Sequence, residues 1–184
     1  MSKLILIDKS YVCQGFSKSF AELTQMIKRY KIKTEMIIVM IYVDCDACPV
    51  KDITERIAKE NKIGLCLVTD VNHVITSDYA EVVTVSQGAD SVDIYLINRV
   101  KNGDIVITQD YGVAAMALGK GAYAIGNSGL IYTNENIERL LFERFLGKKQ
   151  RNSPKRKAHF KSIAKRTAED DENFEKALRE IIDI

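Results

Sequence analysis

Short apolar runs alternate with amphipathic segments from residue 36 onward. The run M-I-I-V-M-I-Y-V at 36–43 is apolar throughout, as is typical of a strand buried on both faces of a parallel sheet. Further strands are predicted at 64–69, 81–85, 104–108 and, as the final short strand, 122–125. Helices are predicted between them, from Pro49 to about Lys62, at 89–100 and at 111–120. The alternation predicts a three-layer α/β/α sandwich with a mainly parallel central sheet and right-handed crossovers.

The C-terminal third carries further helical patterns. The segment N-E-N-I-E-R-L-L-F-E-R-F-L is strongly amphipathic, and Thr133 directly before it suits an N-cap. A short helix is expected at 154–166. A last helix is expected near Thr167, whose T-x-x-D spacing to Asp170 resembles a capping box. The apolar residues of that helix have helical spacing and are expected to pack on the body: Phe174, Leu178, Ile181 and Ile182.

These patterns divide the chain into three parts. Residues 1–35 form an N-terminal extension with little regular pattern, 36–146 form the α/β domain, and 147–184 form a basic segment followed by a helix that packs on the domain. No apolar run approaches the roughly 18–20 residues that cross a bilayer, so no membrane partner is expected. The start of the chain lacks the pattern of a signal peptide, and we expect a cytoplasmic protein with reduced cysteines.

The formal net charge of +2 conceals a strong asymmetry. Ten Lys or Arg residues and no Asp or Glu lie between Arg144 and Arg166, while the rest of the chain has 17 basic and 25 acidic residues. Such a segment is either a solvated helical face or a contact for the phosphate backbone of a nucleic acid. The residues expected to bind nucleic acid are Lys148, Lys149, Arg151, Lys155, Arg156, Lys157, Lys161, Lys165 and Arg166.

Carboxylates gather where the predicted strands end. Ligands of open parallel sheets bind beyond the carboxyl ends of the strands, so residues at those ends are the natural candidates. Five aspartates from three segments belong to this edge, with Thr108 beside them: Asp44, Asp46, Asp90, Asp93 and Asp110. Singly, Asp46 and Asp110 also suit N-caps of the helices that follow them. Together, five like charges need a compensating cation or a shared proton.

A hard divalent ion such as Mg²⁺ or Mn²⁺ would provide that compensation, because it prefers carboxylate oxygens and retains several waters. Such a site suits phosphoryl chemistry, in which the metal generates a hydroxide nucleophile and stabilises the leaving oxygen. The basic segment would hold the remainder of a nucleic-acid substrate. Composition and pattern together favour metal-dependent hydrolysis of phosphodiester bonds.

Four stretches resemble the YaiI/YqxD family of bacterial proteins, which is placed in the PIN-like superfamily: V-D-C-D-A-C-P-V at 43–50, Q-G-A-D-S-V-D at 87–93, G-D-I-V-I-T-Q-D at 103–110 and K-G-A-Y-A-I-G-N-S-G-L-I-Y-T at 120–133. Their order and spacing match over about residues 39–143. The resemblance implies a compact three-layer α/β fold. In PIN-like nucleases, acidic residues at the strand ends bind Mg²⁺ or Mn²⁺ and cut RNA or DNA. Carried over by motif, those residues are Asp44, Asp46, Asp90, Asp93 and Asp110.

The chain departs from the family pattern in three places. Cys45 stands where the family usually has a small residue such as Ala, and Asp110-Tyr111-Gly112 stands where Asp-Ile-Pro is common. The segment 126–129 reads Gly-Asn-Ser-Gly in place of Asn-Pro-Arg-Gly. The last change removes an arginine that would contact phosphate.

Three other functions fit part of the pattern. Cys45-x-x-Cys48 before Pro49 is a thiol-redox spacing, although such proteins also place a distant cis-proline beside the cysteines. Asp44-x-Asp46 suits a phosphatase with an aspartyl nucleophile, for which Lys101 or Lys120 would be the required lysine. A PIN-like protein that binds nucleic acid without cutting it is the main non-enzymatic alternative.

The sequence therefore predicts a Mg²⁺- or Mn²⁺-dependent nuclease that acts on nucleic acid, with RNA the expected substrate. Asp44, Asp46 and Asp110 would bind the metal directly or through water. Asp90 and Asp93 would complete the catalytic site, one of them orienting the attacking water, and Thr108 would position a ligand by a hydrogen bond.

Overall fold

The computed structural model describes residues 39–45, 48–86, 88, 91–151 and 166–184, and for Gln150 and Arg151 it describes the backbone alone. The strands within these ranges are β1 (Met40–Asp44), β2 (Gly64–Asp70), β3 (Glu81–Val85), β4 (Ile105–Ile107), β5 (Tyr123–Ile125) and β6 (Ile131–Tyr132). They form one sheet in the order β3-β2-β1-β4-β5-β6. Every neighbouring pair is parallel except β5 and β6, which are antiparallel.

The described helices lie on both faces of this sheet: α1 (Lys51–Asn61), α2 (Ser91–Arg99), α3 (Tyr111–Gly119), α4 (Ile137–Arg151) and α5 (Ala168–Ile182). One core cluster joins α1 and α5 to the sheet through residues such as Ile57 and Phe174. The other joins α2, α3 and the start of α4 through residues such as Leu96, Val113 and Ile137. The predicted α/β sandwich with a mainly parallel sheet is confirmed.

Strand β1 occupies the middle of the sheet, between β2 and β4. Ile41 and Val43 are fully buried in the cluster below α1 and α5, whereas Tyr42 belongs to the opposite cluster. Because side chains alternate along a strand, an element buried on both faces must be apolar at every position. That requirement explains why the strand is apolar from Met40 to Val43.

The prediction that 122–125 is the final strand is wrong, because β6 follows it. Gly126 N–H donates to the Leu130 carbonyl at 2.8 Å and Gly129 N–H donates to the Gly126 carbonyl at 2.9 Å, so the chain reverses directly after β5. Ile131 then pairs with Ile125. A two-residue strand is too short for an alternating pattern to indicate it.

The caps predicted at Thr133 and Thr167 are present, whereas α1 has Val50 at its N-cap and no side-chain cap bond. Asn136 N–H donates to Thr133 Oγ1 at 3.3 Å and Thr133 N–H donates to Asn136 Oδ1 at 3.0 Å, ahead of the regular turns of α4. At α5, Thr167 and Asp170 exchange the two hydrogen bonds of a capping box. These reciprocal bonds satisfy backbone N–H groups that a helix start otherwise leaves without a partner.

Helix α5 packs on the sheet as the sequence predicts. Phe174 and Leu178 are fully buried, Ile181 is nearly so, and Ile182 packs at the edge of the same cluster. Gly129 has φ +85°, and a Cβ atom there would lie 2.6 Å from the Asn173 carbonyl oxygen. The turn after β5 therefore approaches α5 too closely for any side chain at position 129.

Two predicted regions fall outside the described residues: the N-terminal extension 1–35, and the short helix at 154–166 except for Arg166. Helix α4 continues beyond Leu146 to Arg151. The described residues all belong to one compact unit.

Candidate functional site

One buried hydroxyl connects the ends of two central strands. Asp44 ends β1, and Thr108 directly follows β4, whose Ile107 pairs with Val43. Thr108 Oγ1 donates to Asp44 Oδ2 at 3.0 Å and accepts from the Asp110 N–H at 3.0 Å. Thr108 is 1% exposed, so the hydroxyl itself is buried, while its two partners are partly exposed. The Asp44 carboxylate is thereby fixed relative to the backbone of Asp110.

Both carboxylate oxygens of Asp110 are engaged. Oδ1 accepts from Gly112 N–H at 2.6 Å and Val113 N–H at 3.4 Å, which caps α3. Oδ2 accepts from Arg144 Nη1 at 2.7 Å. Burial raises the pKa of Asp110, but Arg144 and the two N–H groups together outweigh it, so the pKa lies below its ordinary value. Asp110 is therefore ionised at neutral pH.

Arg144 is a site residue that sequence reasoning missed. It lies on α4, half-exposed, 34 residues beyond Asp110, and its guanidinium also lies over the Tyr111 ring at 5.9 Å. Its only sequence signal was its position as the first of the ten basic residues from 144 to 166. The contact means that Asp110 Oδ2 becomes available to a cation only when Arg144 moves away.

Asp93 lies on the same face of the sheet as Asp44. It is in the first turn of α2, and its neighbour Val92 packs into the cluster that contains Tyr42. Asp44 is two positions after Tyr42 and so projects to that face. Asp46 and Asp90 lie outside the described residues. Within the part of the chain that the structure describes, no three His, Cys, Asp or Glu side chains are close enough to hold a metal ion.

The turn at 126–129 receives an arginine from the C-terminal segment. Arg166 Nη1 donates to the Asn127 carbonyl at 2.7 Å, and its Nε donates to Asp171 Oδ1 at 2.6 Å. Its Nη2 is buried with no hydrogen-bond partner among the described residues. The family resemblance places an arginine in this turn, where the chain has none. Arg166 brings a guanidinium to the same place from 39 residues away.

The cysteines at 45 and 48 form no disulfide with each other, and Cys45 is buried while Cys48 is partly buried. Cys45 is 6% exposed. Cys48 Sγ contacts Asn127 Oδ1 at 3.7 Å. Burial, with the nearby charge of Asp44, raises the pKa of Cys48 to about 11, so it remains protonated at neutral pH. No peptide bond in the described ranges is cis. This environment favours a packing role over thiol–disulfide exchange.

The lysines that a phosphatase would need lie at the opposite edge of the sheet. Asp104 accepts from Met40 N–H at 3.0 Å, at the amino end of β1, and from Lys101 N–H at 2.8 Å. Lys120 Nζ donates to the Ile97 and Val100 carbonyls at the end of α2. Asp44 is at the carboxyl end of β1, so neither lysine adjoins it.

The basic segment is described at its two ends. Lys148 and Lys149 are exposed on the last turn of α4, and Arg166 precedes α5 partly buried. For Arg151 only the backbone is described. The remaining residues predicted to bind nucleic acid lie outside the described residues: Lys155, Arg156, Lys157, Lys161 and Lys165. The described part of this segment thus offers two solvated cations on a helix that also carries Arg144.

A surface groove of about 590 Å³ lies elsewhere, between α1 and residues 76–78. Charged side chains of both signs line it, and Lys59 and Glu55 within it form an ion pair at 2.7 Å. Helix α1 covers the face of the sheet opposite to the Asp44 carboxylate. The groove therefore adds nothing to the carboxylate site.

Comparison with known proteins agrees with the motifs. The family described as "Uncharacterized BCR, YaiI/YqxD family" matches residues 42–183. A UPF0178 protein of Clostridium acetobutylicum is 56% identical over 142 residues, which are 77% of this chain and 95% of the relative. A UPF0178 protein of Ruminiclostridium cellulolyticum is 54% identical over 138 residues, 75% of this chain and 88% of the relative.

No solved structure gives a significant match. Within the described ranges, no helix has the length and apolar content needed to cross a lipid bilayer. The matched region includes all the candidate aspartates and the helix that carries Phe174. The chain therefore belongs to the YaiI/YqxD family.

Proposed function

We propose that this protein is a cytoplasmic, Mg²⁺- or Mn²⁺-dependent nuclease that hydrolyses phosphodiester bonds, with RNA the expected substrate. The observation that carries the proposal is the hydrogen-bonded chain from Asp44 through Thr108 to Asp110 at the carboxyl edge of β1 and β4. This edge is where open parallel sheets bind ligands. The PIN-like resemblance assigns nuclease chemistry to aspartates at the same positions.

The donor set suits a hard divalent cation. Asp44 and Asp110 offer carboxylate oxygens, and the fixed position of Asp44 reduces the cost of ordering a ligand. Asp46, Asp90 and Asp93 are the further carboxylates proposed for the site. When bound, the metal would supply a water of lowered pKa and stabilise charge on the leaving oxygen.

Basic residues around the site suit a phosphate substrate. Arg144 would exchange its bond to Asp110 for a bond to a phosphate oxygen as the substrate enters. The Nη2 of Arg166 is buried and has no hydrogen-bond partner among the described residues, and it would be a second donor for an anion that reaches the 126–129 turn. Lys148 and Lys149 would contact the backbone of the nucleic acid farther from the cleaved bond.

Cleavage of short RNA and DNA strands in Mn²⁺, Mg²⁺ or EDTA tests this proposal. The wild-type protein should cut with either metal and not in EDTA, and Asp44→Asn and Asp110→Asn should each abolish cutting. Asp52→Asn is the matched control, because Asp52 is 91% exposed on α1. Undiminished cutting by both site variants would overturn the assignment, provided that circular dichroism shows them folded.

A nucleic-acid-binding protein without catalysis is the second candidate. The specific observation in its favour is that Asp110 already caps α3 and pairs with Arg144, so its carboxylate has a structural role without any metal. In that case wild-type protein would bind RNA and leave it intact in every metal. Asp44→Asn would then bind RNA no more weakly than the wild type.

A further inference from the structure

The outward face of α4 carries an apolar stripe. Leu141, Phe142, Phe145 and Leu146 are 36%, 61%, 60% and 38% exposed. The opposite face of the helix packs on the core through Ile137 and Leu140. Large apolar side chains grouped on one exposed helix face are characteristic of a surface that binds another protein.

Charged residues of opposite sign end the stripe. Glu138 is one turn before Leu141 and Lys149 is one turn after Leu146, and both are exposed. Spacings of three and four residues place all six side chains on one face of the helix. Along the chain this face reads E-L-F-F-L-K, with its midpoint between residues 143 and 144. Leu141 and Phe142 lie as far before that midpoint as Leu146 and Phe145 lie after it. Glu138 and Lys149 correspond in the same way but have opposite charges.

We propose that the stripe binds a second copy of this chain, with the two α4 helices antiparallel about a two-fold axis. Such a pairing places Phe142 against the partner's Phe145 and Leu141 against the partner's Leu146. Glu138 then faces the partner's Lys149, twice in each dimer. A two-fold interface requires a self-complementary surface, and the order of residues on α4 provides one. A parallel pairing would instead place Glu138 against the partner's Glu138.

One like-charge contact opposes this pairing, because Arg139 at the margin of the stripe would face the partner's Lys148. Arg139 is ion-paired to Glu143 of its own helix at 3.0 Å, which offsets part of that repulsion. Arg144 points toward Asp110 and away from the stripe. Four apolar side chains in each copy would bury less surface than the ~800 Å² that each partner buries in a standard interface. The dimer should therefore depend on protein concentration.

Sedimentation velocity of the full chain from low to high micromolar concentration tests the proposal. The wild-type protein should shift from monomer to dimer, and Phe145→Glu should remain monomeric across the series. Val74→Glu is the matched control, because Val74 is 94% exposed in a loop outside the stripe, and it should dimerise like the wild type. A wild-type protein that stays monomeric, or a Phe145→Glu protein that dimerises normally, would overturn the proposal.

Charge reversal tests the antiparallel arrangement itself. Glu138→Lys and Lys149→Glu should each weaken self-association several-fold, because each faces like charges in the dimer. The double variant should restore association, and a mixture of the two single variants should form a mixed dimer. If neither combination recovers association, the antiparallel pairing is wrong. Nuclease activity plays no part in these measurements, so the outcome is independent of the proposed function.

Discussion

The hydroxyl of Thr108 makes two hydrogen bonds within the candidate site, one to Asp44 and one to the backbone of Asp110. Removal of a buried hydroxyl that bonds to two groups takes one hydrogen bond from each of them. Its position is fixed by β4, whose Ile107 lies beside Val43. The orientation of the Asp44 carboxylate is thus set by the sheet itself rather than by a loop.

Thr108→Val should therefore lower both Mn²⁺ affinity and stability. The isosteric change removes the donor to Asp44 and should cost roughly 1–3 kcal/mol of unfolding free energy, because two part-buried hydrogen bonds are lost. Thr108→Ser retains the hydroxyl and serves as the control. Isothermal titration with Mn²⁺ and urea unfolding provide the two measurements. Wild-type Mn²⁺ affinity in the valine variant would show that Thr108 does not orient a metal ligand.

Arg144 allows the two possible roles of Asp110 to be distinguished. If Asp110 is a metal ligand, Arg144→Gln should raise Mn²⁺ affinity, because Asp110 Oδ2 loses its ion-pair partner. The same change should weaken RNA binding, since a phosphate contact is lost. The pKa of Asp110 should also rise toward its ordinary value, because Arg144 is the leading influence that lowers it.

Electron paramagnetic resonance of free Mn²⁺ measures that affinity directly. Arg139→Gln is the matched control, because Arg139 pairs with Glu143 on the same helix. If Mn²⁺ affinity is the same in Arg144→Gln and wild-type protein, Asp110 acts as a helix cap and not as a metal ligand.

The sequence predicted elements where a local pattern was sufficient. The apolar run of β1, the cap at Thr133 and the capping box at Thr167 each concern residues within one element. Strand β6 was missed because two residues carry no periodicity, and its existence depends on the turn at Gly126–Gly129. The stripe on α4 was predicted only as part of an amphipathic helix. The local pattern does not reveal which apolar residues of this helix pack in the core and which remain exposed.

Ion pairs connect the helices on the α1 face. Glu175 of α5 bonds to Arg56 of α1 at 2.6 Å and to Arg179 at 2.9 Å, and Arg179 reaches Glu60 of α1 at 2.7 Å. Hydrogen bonds from Arg56 and then Arg179 lower the pKa of Glu175 from 4.5 to about 2. A carboxyl group whose pKa is lowered by folding stabilises the folded state above its unfolded pKa.

The contribution of Glu175 should therefore be complete above pH 4.5 and disappear as the pH falls to about 2. Urea unfolding across this range should show stability falling with pH, and Glu175→Gln should flatten that part of the curve and be less stable than wild type at neutral pH. Glu172→Gln, an exposed change on the same helix, should leave the curve as it is. Equal pH profiles for Glu175→Gln and wild type would contradict the role of this network.

At the scale of the whole molecule, the site joins parts of the chain that are far apart in sequence. Asp44 and Asp110 come from the sheet region, Arg144 from α4, and Arg166 from the segment before α5. The sequence placed the aspartates together because strand ends of a parallel sheet share an edge. The two arginine contacts span 34 and 39 residues and follow no local spacing, so only the folded structure reveals them.

The charge asymmetry of the chain gives the last prediction. An acidic body with ten basic residues between 144 and 166 should repel nucleic acid except along that segment. Lys148 and Lys149 are two exposed cations of this segment on α4. If both contact phosphates, changing both to Gln should reduce the slope of log affinity against log salt for single-stranded RNA by about 1.4, since each contact contributes about 0.7. Fluorescence anisotropy over a salt series measures that slope, at a protein concentration at which the chain is monomeric and Lys149 does not face a partner's Glu138.

Changing Lys101 and Lys176 to Gln provides the control, because it removes the same charge from exposed positions outside the basic segment. Loss of net charge alone would weaken binding equally in both double variants, whereas phosphate contacts at α4 predict a smaller slope only for the Lys148 and Lys149 pair. Equal slopes in the two variants would show that Lys148 and Lys149 of α4 do not contact the nucleic acid. These lysines would then form only a solvated helix face, and the substrate would reach the aspartates along a different surface.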